Sequence, residues 1–392
     1  MLALAVALRA RGHTVSFSAP SNFLAWIRAS GFEVASNGVD IEADIQAPDG
    51  QLESARWQFR HLKDHTARMF EPIARASEGA DLIVGAGAQL VTPSIAEWRD
   101  VPHATVAFCP CAVPGSGAPP PTVHTQTFPP FVNLLFWRLG APVADLLLRG
   151  TINRGRAALG LAPTSSPLSD LISTSVLIAA DRDLAARADA EDNDRDRVVY
   201  TDAWIFDEPQ PPDPRIEAFL GAGAAPIYVG FGSMVAPSSR ALVTHAIDAA
   251  RAVGRRLILA GGWAGLERGL ADEEDLLAVN ALSHADVLPR VAVAVHHGGA
   301  GTTTASARAG VPQVILPHVL DQYYWAHRVE RLGLGPGGLP IALVNADVLT
   351  ARLDRALNDP RMRARASALG GAIATRNGVA PAVEHLERIA RT

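Results

Sequence analysis

His296-His297-Gly298-Gly299-Ala300-Gly301-Thr302 joins an apolar run, residues 291–295, to a segment of helical character over 302–308 that Gly310 and Pro312 bring to an end. Three glycines in this junction let the backbone come close to a ligand. A strand, a glycine loop and a helix N-terminus in that order make an anion site, because free backbone N–H groups and the positive end of the helix dipole point at the loop. His297 and Thr302 can add side-chain hydrogen bonds, so the site can hold a diphosphate without a metal. The segment has no Lys of the Walker type. It also lacks the G-x-G-x-x-G spacing with a later acidic residue that marks dinucleotide folds, so kinase and dehydrogenase chemistry fit it poorly. Taken alone, the same residues would serve equally as a tight strand-to-helix turn, and the neighbouring segments decide between the two.

Three more apolar runs surround it, at 227–230, 256–260 and 313–316, and each ends in small or polar residues. The first leads into Phe231-Gly232-Ser233, the second into Gly261-Gly262-Trp263, and the last into the run from Pro317 to Gln322. In an open parallel sheet ligands bind outside the carboxyl ends of the strands, so all four loops are expected to open onto one crevice. Asp321 and Gln322 would stand there as a carboxylate and an amide able to bind sugar hydroxyls, or as caps of a helix over 323–331. The first half repeats the strand-loop-helix unit, with strands expected at 14–18, 82–85, 104–108 and 176–179. Between the halves, residues 207–214 contain four prolines, which neither a helix nor a central strand accommodates, and the interdomain linker is placed there.

A chain of 392 residues fits two α/β domains of roughly 150 to 200 residues each. Its formal net charge of -5 and scattered arginines give no basic footprint, which argues against nucleic acid as a partner. Cys109 and Cys111, the only cysteines, form neither a disulfide framework nor a four-ligand zinc pattern, and a reducing cytoplasm is the simplest compartment. The apolar opening, residues 1–8, has no basic segment before it, and Arg9 and Arg11 stand where a cleavage site needs small residues. No uninterrupted apolar run reaches the roughly 18 to 20 residues of a spanning helix, so any membrane contact is expected to be peripheral. A Pro-rich stretch over 110–130 reads as a long functional loop. The apolar helical segment after it, 131–148, reads either as core or as a wall of the cleft.

The stretch 280–322 carries a more specific likeness. His284, Asp286-Val287-Leu288-Pro289, the HHGGAGTT run, Gly310-Val311-Pro312 and the run from Pro317 to Gln322 together resemble the donor-binding signature of inverting UDP-sugar glycosyltransferases. Gly261-Gly262-Trp263 and the His284 segment are similar to those of bacterial sterol glucosyltransferases and actinomycete antibiotic or macrolide glycosyltransferases. The resemblance implies a GT-B fold, two Rossmann-like domains with parallel sheets facing across a cleft. Residues 1–206 would form the acceptor-binding domain, 207–215 the linker, 216–375 the donor-binding domain, and 376–392 a terminal helix returning to the first domain. It further implies that Ser233, His297, Gly299, Gly301 and Thr302 hold the diphosphate and that Asp321 and Gln322 hold the transferred sugar. Trp263, Ser283, His284, Val287 and Leu288 would stand near the nucleobase. Plant members stack the base on a Trp that has no counterpart in 276–288, which leaves uridine and thymidine both open.

The implied activity is metal-independent transfer of a hexose from a UDP- or TDP-sugar, with inversion, to a hydroxyl of an apolar aglycone such as a sterol, polyketide or lipid. No cofactor is expected beyond the nucleotide sugar. Chains of this family begin with a strand and a glycine-rich loop carrying the catalytic base, whereas this sequence opens inside the following helix, so an extension before Met1 is expected to hold the base. His13 matches the turn that ends that helix and reads as structural. The alternative is a noncatalytic nucleotide-sugar-binding protein. Asp181-Arg182-Asp183 could imitate the metal motif of GT-A enzymes, but the acid-rich run after it, 189–196, reads more simply as a solvated loop.

Overall fold

A computed structural model describes residues 1–45, 55–87, 89–172, 175–186, 197–206, 213–232, 239–262 and 265–391. Among these residues eleven strands run in order: β1 (Ser16–Ala19), β2 (Glu33–Ser36), β3 (Ile83–Ala86), β4 (His103–Ala107), β5 (Val176–Ile178), β6 (Val198–Tyr200), β7 (Ile227–Gly230), β8 (Leu257–Ala260), β9 (Leu276–Val279), β10 (Val293–His296) and β11 (Gln313–Ile315). Every pairing among them is parallel. They form a pair β1-β2, a four-stranded sheet β3-β4-β5-β6 and a five-stranded sheet β11-β10-β7-β8-β9. Helices connect most of the successive strands, which makes this a two-domain α/β architecture.

The second sheet shows why its strands read as unbroken apolar runs. Val229, Leu259 and Val295 enter one core cluster with the helices Ser239–Ala252 and Ala346–Asn358, while Tyr228, Ile258 and Ala294 enter another on the opposite face. Both faces are covered, so both sets of alternating positions must be apolar. The chain enters this sheet at its centre, builds outward through β8 and β9, then returns to β10 and β11 on the other side of β7. The reversal between β7 and β10 is a topological switch point, where the connections leave to opposite faces and open a crevice at the strands' carboxyl ends.

In the first half, Ala104, Val106 and Leu177 pack beneath the terminal helix Val379–Ile389 through Ala382, Val383 and Leu386. The same helix holds Arg11 and His13 through Glu387, at 2.6 and 3.0 Å. Three strands lie outside those expected: β2, which is short and mostly exposed; β6, three residues long; and β9, whose four buried apolar residues were a legible signal. The apolar segment expected over 131–148 is a helix of 29 residues, Pro130–Ala158. By length and mean hydropathy it could cross a membrane; Arg138 and Asp145 interrupt its apolar run and hide this from a search for unbroken ones. Of the linker expected over 207–215, residues 207–212 lie outside the described residues, and a helix starts at Pro214, capped by Asp213.

Candidate active site

The loop after β10 is shaped by its first histidine. His296 is fully buried; its Nδ1 accepts from the Gly298 N–H at 3.1 Å, which leaves Nε2 to donate to Gln313 Oε1 at 3.0 Å. Burial pushes its pKa down to about 3, so it is a neutral strut. Gly298 turns the chain at φ +93°, where a Cβ would stand 2.7 Å from Ile315 Cγ2. Gly299 then caps the helix Ala300–Arg308 without a side chain. The Thr303 N–H and hydroxyl both bond back to the Gly299 carbonyl, at 3.0 and 2.9 Å. The N–H groups of Gly299, Ala300, Gly301 and Thr302 precede the first helical acceptor and have none within the helix. Above Gly301 the space is open, with nothing within 4 Å of where a Cβ would be.

His297 faces this row. Its ring lies against Gly232 at the end of β7, where a Cβ would be 3.2 Å from Cε1. Gly262, after β8, approaches the Gly232 carbonyl so closely that any side chain there would clash. Phe231 meets His318, after β11, with ring centroids 6.2 Å apart. The loops after β7, β8, β10 and β11 therefore meet, as the spacing of the apolar runs led one to expect. His297 Nδ1 is buried, and with only the Gly230 carbonyl near the ring it makes no well-formed hydrogen bond among the described residues. Burial, with His318 nearby, holds the pKa of His297 at about 4, so the ring is neutral at physiological pH. An incoming anion would meet polar groups and a helix dipole whose own demands are unmet.

The loop after β11 is strained next to its carboxylate. Leu320 is one of three non-glycine residues with positive φ among the described residues, at +52°. Asp321, which follows it, sits at the N-terminus of the helix Gln322–Leu332 but makes no side-chain cap hydrogen bond. Its carboxylate is thus not used for capping. Burial raises its pKa to about 6, against a smaller pull downward from the Trp325 indole. Gln322 is committed to its own loop: its Oε1 accepts from the backbone N–H groups of His318 and Val319, at 2.7 and 3.1 Å.

The remaining expected residues fall differently. Ser233 and Trp263 lie outside the described residues, as does the run 189–196. Ser283 caps the short helix His284–Val287, accepting from the Asp286 N–H at 3.4 Å. His284 Nε2 is 2.8 Å from the Tyr228 hydroxyl. Val287 and Leu288 pack into the core with Ile216, Leu220 and Ile258. The GT-A-like acids are also spoken for: Asp183 pairs with Arg376 at 2.7 Å, and Arg182 with Asp202. Among the described residues no group of three or more His, Cys, Asp or Glu side chains is placed to hold a metal ion.

Contacts with the first half were not legible in the sequence. The helix after Asp321 packs Tyr324, Trp325 and Val329 with Cys109, Cys111, Ile178 and Leu184. Arg328 Nε donates to the Leu184 carbonyl at 3.0 Å. From the Pro-rich loop, His124 stacks on Tyr323 with centroids 4.0 Å apart and planes 7° from parallel. Cys109 and Cys111 are buried with their sulfurs 2.6 Å apart, and burial raises both thiol pKa values.

Known proteins share this arrangement. Residues 272–388 match the family model described as erythromycin biosynthesis protein CIII-like, C-terminal domain. The vancomycin aglycone glucosyltransferase of Amycolatopsis orientalis is 36% identical over 400 residues, spanning 100% of this chain and 94% of that protein. Glycosyltransferase GtfE of the same organism is 36% identical over 394 residues, spanning 98% and 93%. The solved structure of glycosyltransferase VinC in complex with dTDP superposes with a TM-score of 0.70 at 20% identity, covering 100% of this chain and 96% of that one. Switch-point crevice, glycine-rich strand-to-helix loop and end-to-end likeness agree, and the chain belongs to the actinomycete antibiotic glycosyltransferases, enzymes of two-domain GT-B fold.

Proposed function

We propose that the protein transfers a hexose from a UDP- or TDP-sugar to a hydroxyl of an apolar aglycone, with inversion and without a metal ion. The observation that carries this reading is the row of unpaired N–H groups from Gly299 to Thr302, with the neutral His297 beside it, at the switch point of the second sheet. The acceptor oxygen attacks the anomeric carbon, its proton leaves to a base, and the bond to the diphosphate breaks on the opposite face. A single in-line displacement of this kind inverts the centre. Negative charge grows on the departing diphosphate, where His297, the N–H row and the helix dipole stabilise it. On this reading Asp321, whose carboxylate makes no cap hydrogen bond, accepts hydrogen bonds from the sugar. Gln322 Oε1 is occupied by two backbone N–H groups of its own loop, so it shapes the loop that carries Asp321. Residues 1–206 would then form the acceptor domain, 216–375 the donor domain and 376–392 the returning helix.

TDP is the nucleotide bound in the VinC structure, and it supports thymidine beside uridine as the base. An apolar acceptor is proposed from the Pro-rich loop 110–130 and the apolar start of the helix Pro130–Ala158 beside it. Rates with UDP-glucose and TDP-glucose, measured as nucleoside diphosphate released in the presence of apolar aglycones, test the reading, and the anomeric configuration of the product tests inversion. Release that neither nucleotide sugar supports overturns it.

A further inference from the structure

The helix Pro130–Ala158 is apolar on two sides. One side is packed into the first half through Trp137, Leu148 and Ile152. On the other, Phe131, Leu135, Leu139, Val143, Leu146 and Leu147 are exposed, Phe131 by 71% and Leu139 by 63%. These are six of the eleven large hydrophobic side chains exposed among the described residues. With 3.6 residues per turn they cover an arc of about 160°. A helix apolar all round ordinarily has cover on every side.

The charges on this helix say what the cover is. Arg138 and Arg149 lie along one border of the apolar arc and Arg154 beyond its end; all three are exposed, and among the described residues none has a salt-bridge partner. The one acid of the helix, Asp145, is buried and accepts from the Leu168 N–H at 2.8 Å. The exposed face thus carries hydrophobic and cationic side chains only, in a chain of net charge -5.

We propose that this face docks the protein onto an anionic lipid surface. The helix lies in the plane of the interface, the six hydrophobic side chains enter the acyl region, and the arginines reach the headgroup phosphates. It lies flat because its other side is held in the protein, where Arg156 pairs with Glu97 at 2.7 Å and Asp145 is hydrogen-bonded. A second copy fits the same face poorly: two-fold pairing would set arginines against arginines with no exposed acid on the helix to meet them. Asn133 and Trp137 hydrogen-bond the carbonyls of Ser116 and Ala118, at 2.9 and 3.1 Å. They fasten the helix to the loop that carries His124, so docking would bring the mouth of the cleft to the bilayer. The proposal is tested by binding alone, so it stands or falls apart from the donor-site reading.

The full chain should float with vesicles of phosphatidylcholine mixed with phosphatidylglycerol, far less with phosphatidylcholine alone, and less as salt is raised. Leu139→Glu combined with Val143→Glu should abolish flotation while leaving the melting curve unchanged. Arg138→Glu and Arg149→Glu should each weaken it, by roughly fivefold or more for each arginine lost. Failure to bind the anionic vesicles, or equal binding by parent and variants, overturns the proposal. A concentration-dependent dimer that the leucine–valine double variant dissolves, without vesicle binding, assigns the face to a second copy and also overturns it.

Discussion

At the scale of single residues, His297 and Asp321 carry opposite liabilities. His297 is held neutral with a buried nitrogen that makes no well-formed hydrogen bond, so its removal costs the fold little and the donor much. His297→Ala should lower kcat/KM by about 10- to 100-fold, the worth of a hydrogen bond to a charged group, with a melting temperature within about 3 °C of the parent. Asp321 is held against its ionisation, with a folded pKa of about 6 against the ordinary 3.8 of an aspartate. The folded state binds that proton more tightly than the unfolded one, so stability is lost as pH rises from 3.8 through 6 and stays lost above. That difference corresponds to roughly 3 kcal/mol, and partial exposure lowers this to about 1–3 kcal/mol. Asp321→Asn should therefore melt higher than the parent at pH 8, match it below pH 4, and transfer sugar poorly. Melting curves across pH, set beside initial rates, check both halves of that trade.

At the scale of elements, the strand-to-helix junction after β10 depends on which glycine is changed. Gly298→Ala forces a Cβ into Ile315 at positive φ and should destabilise by about 1–3 kcal/mol. Gly301→Ala meets open space, so it should melt like the parent while weakening donor binding, because that space is where the phosphate is proposed to lie. Calorimetric titration with UDP and TDP separates the two variants. This junction was legible in the sequence because strand, glycines and helix are contiguous, and local chemistry alone shapes it. β7, Ile227–Gly230, was legible for a related reason, since burial on both faces writes an unbroken apolar run. The burial of the Val287 and Leu288 side chains was not legible, because a motif fixes the order of residues along the chain but not which side of a short helix faces the core. The stack of His124 on Tyr323 joins residues nearly two hundred positions apart and leaves no periodic trace.

At the scale of the whole molecule, acid should act on both halves at once. His103, His296, His297 and His318 all have pKa values pushed down by burial, to about 4, 3, 4 and 4. On unfolding each recovers an ordinary value near 6.5, so the unfolded chain binds up to four more protons between about pH 6.5 and 4. Their contribution to stability is complete above pH 6.5 and lost as pH falls through that window, outweighing the single opposite effect of Asp321. The melting temperature should drop steeply from pH 7 to pH 5, and calorimetric proton uptake should exceed two per molecule; a flat profile would contradict the burial of these rings. The sheets divide the molecule unequally as well. Among the described strands β1 and β2 pair only with each other and sit mostly half-buried or exposed, whereas β7, β9 and β10 are buried throughout. A two-stranded pair has little cooperative support. In deuterated buffer the amides of 16–19 and 33–36 should therefore exchange through local opening, long before those of 227–230 and 293–296, whose release waits for the sheet to come apart as a unit.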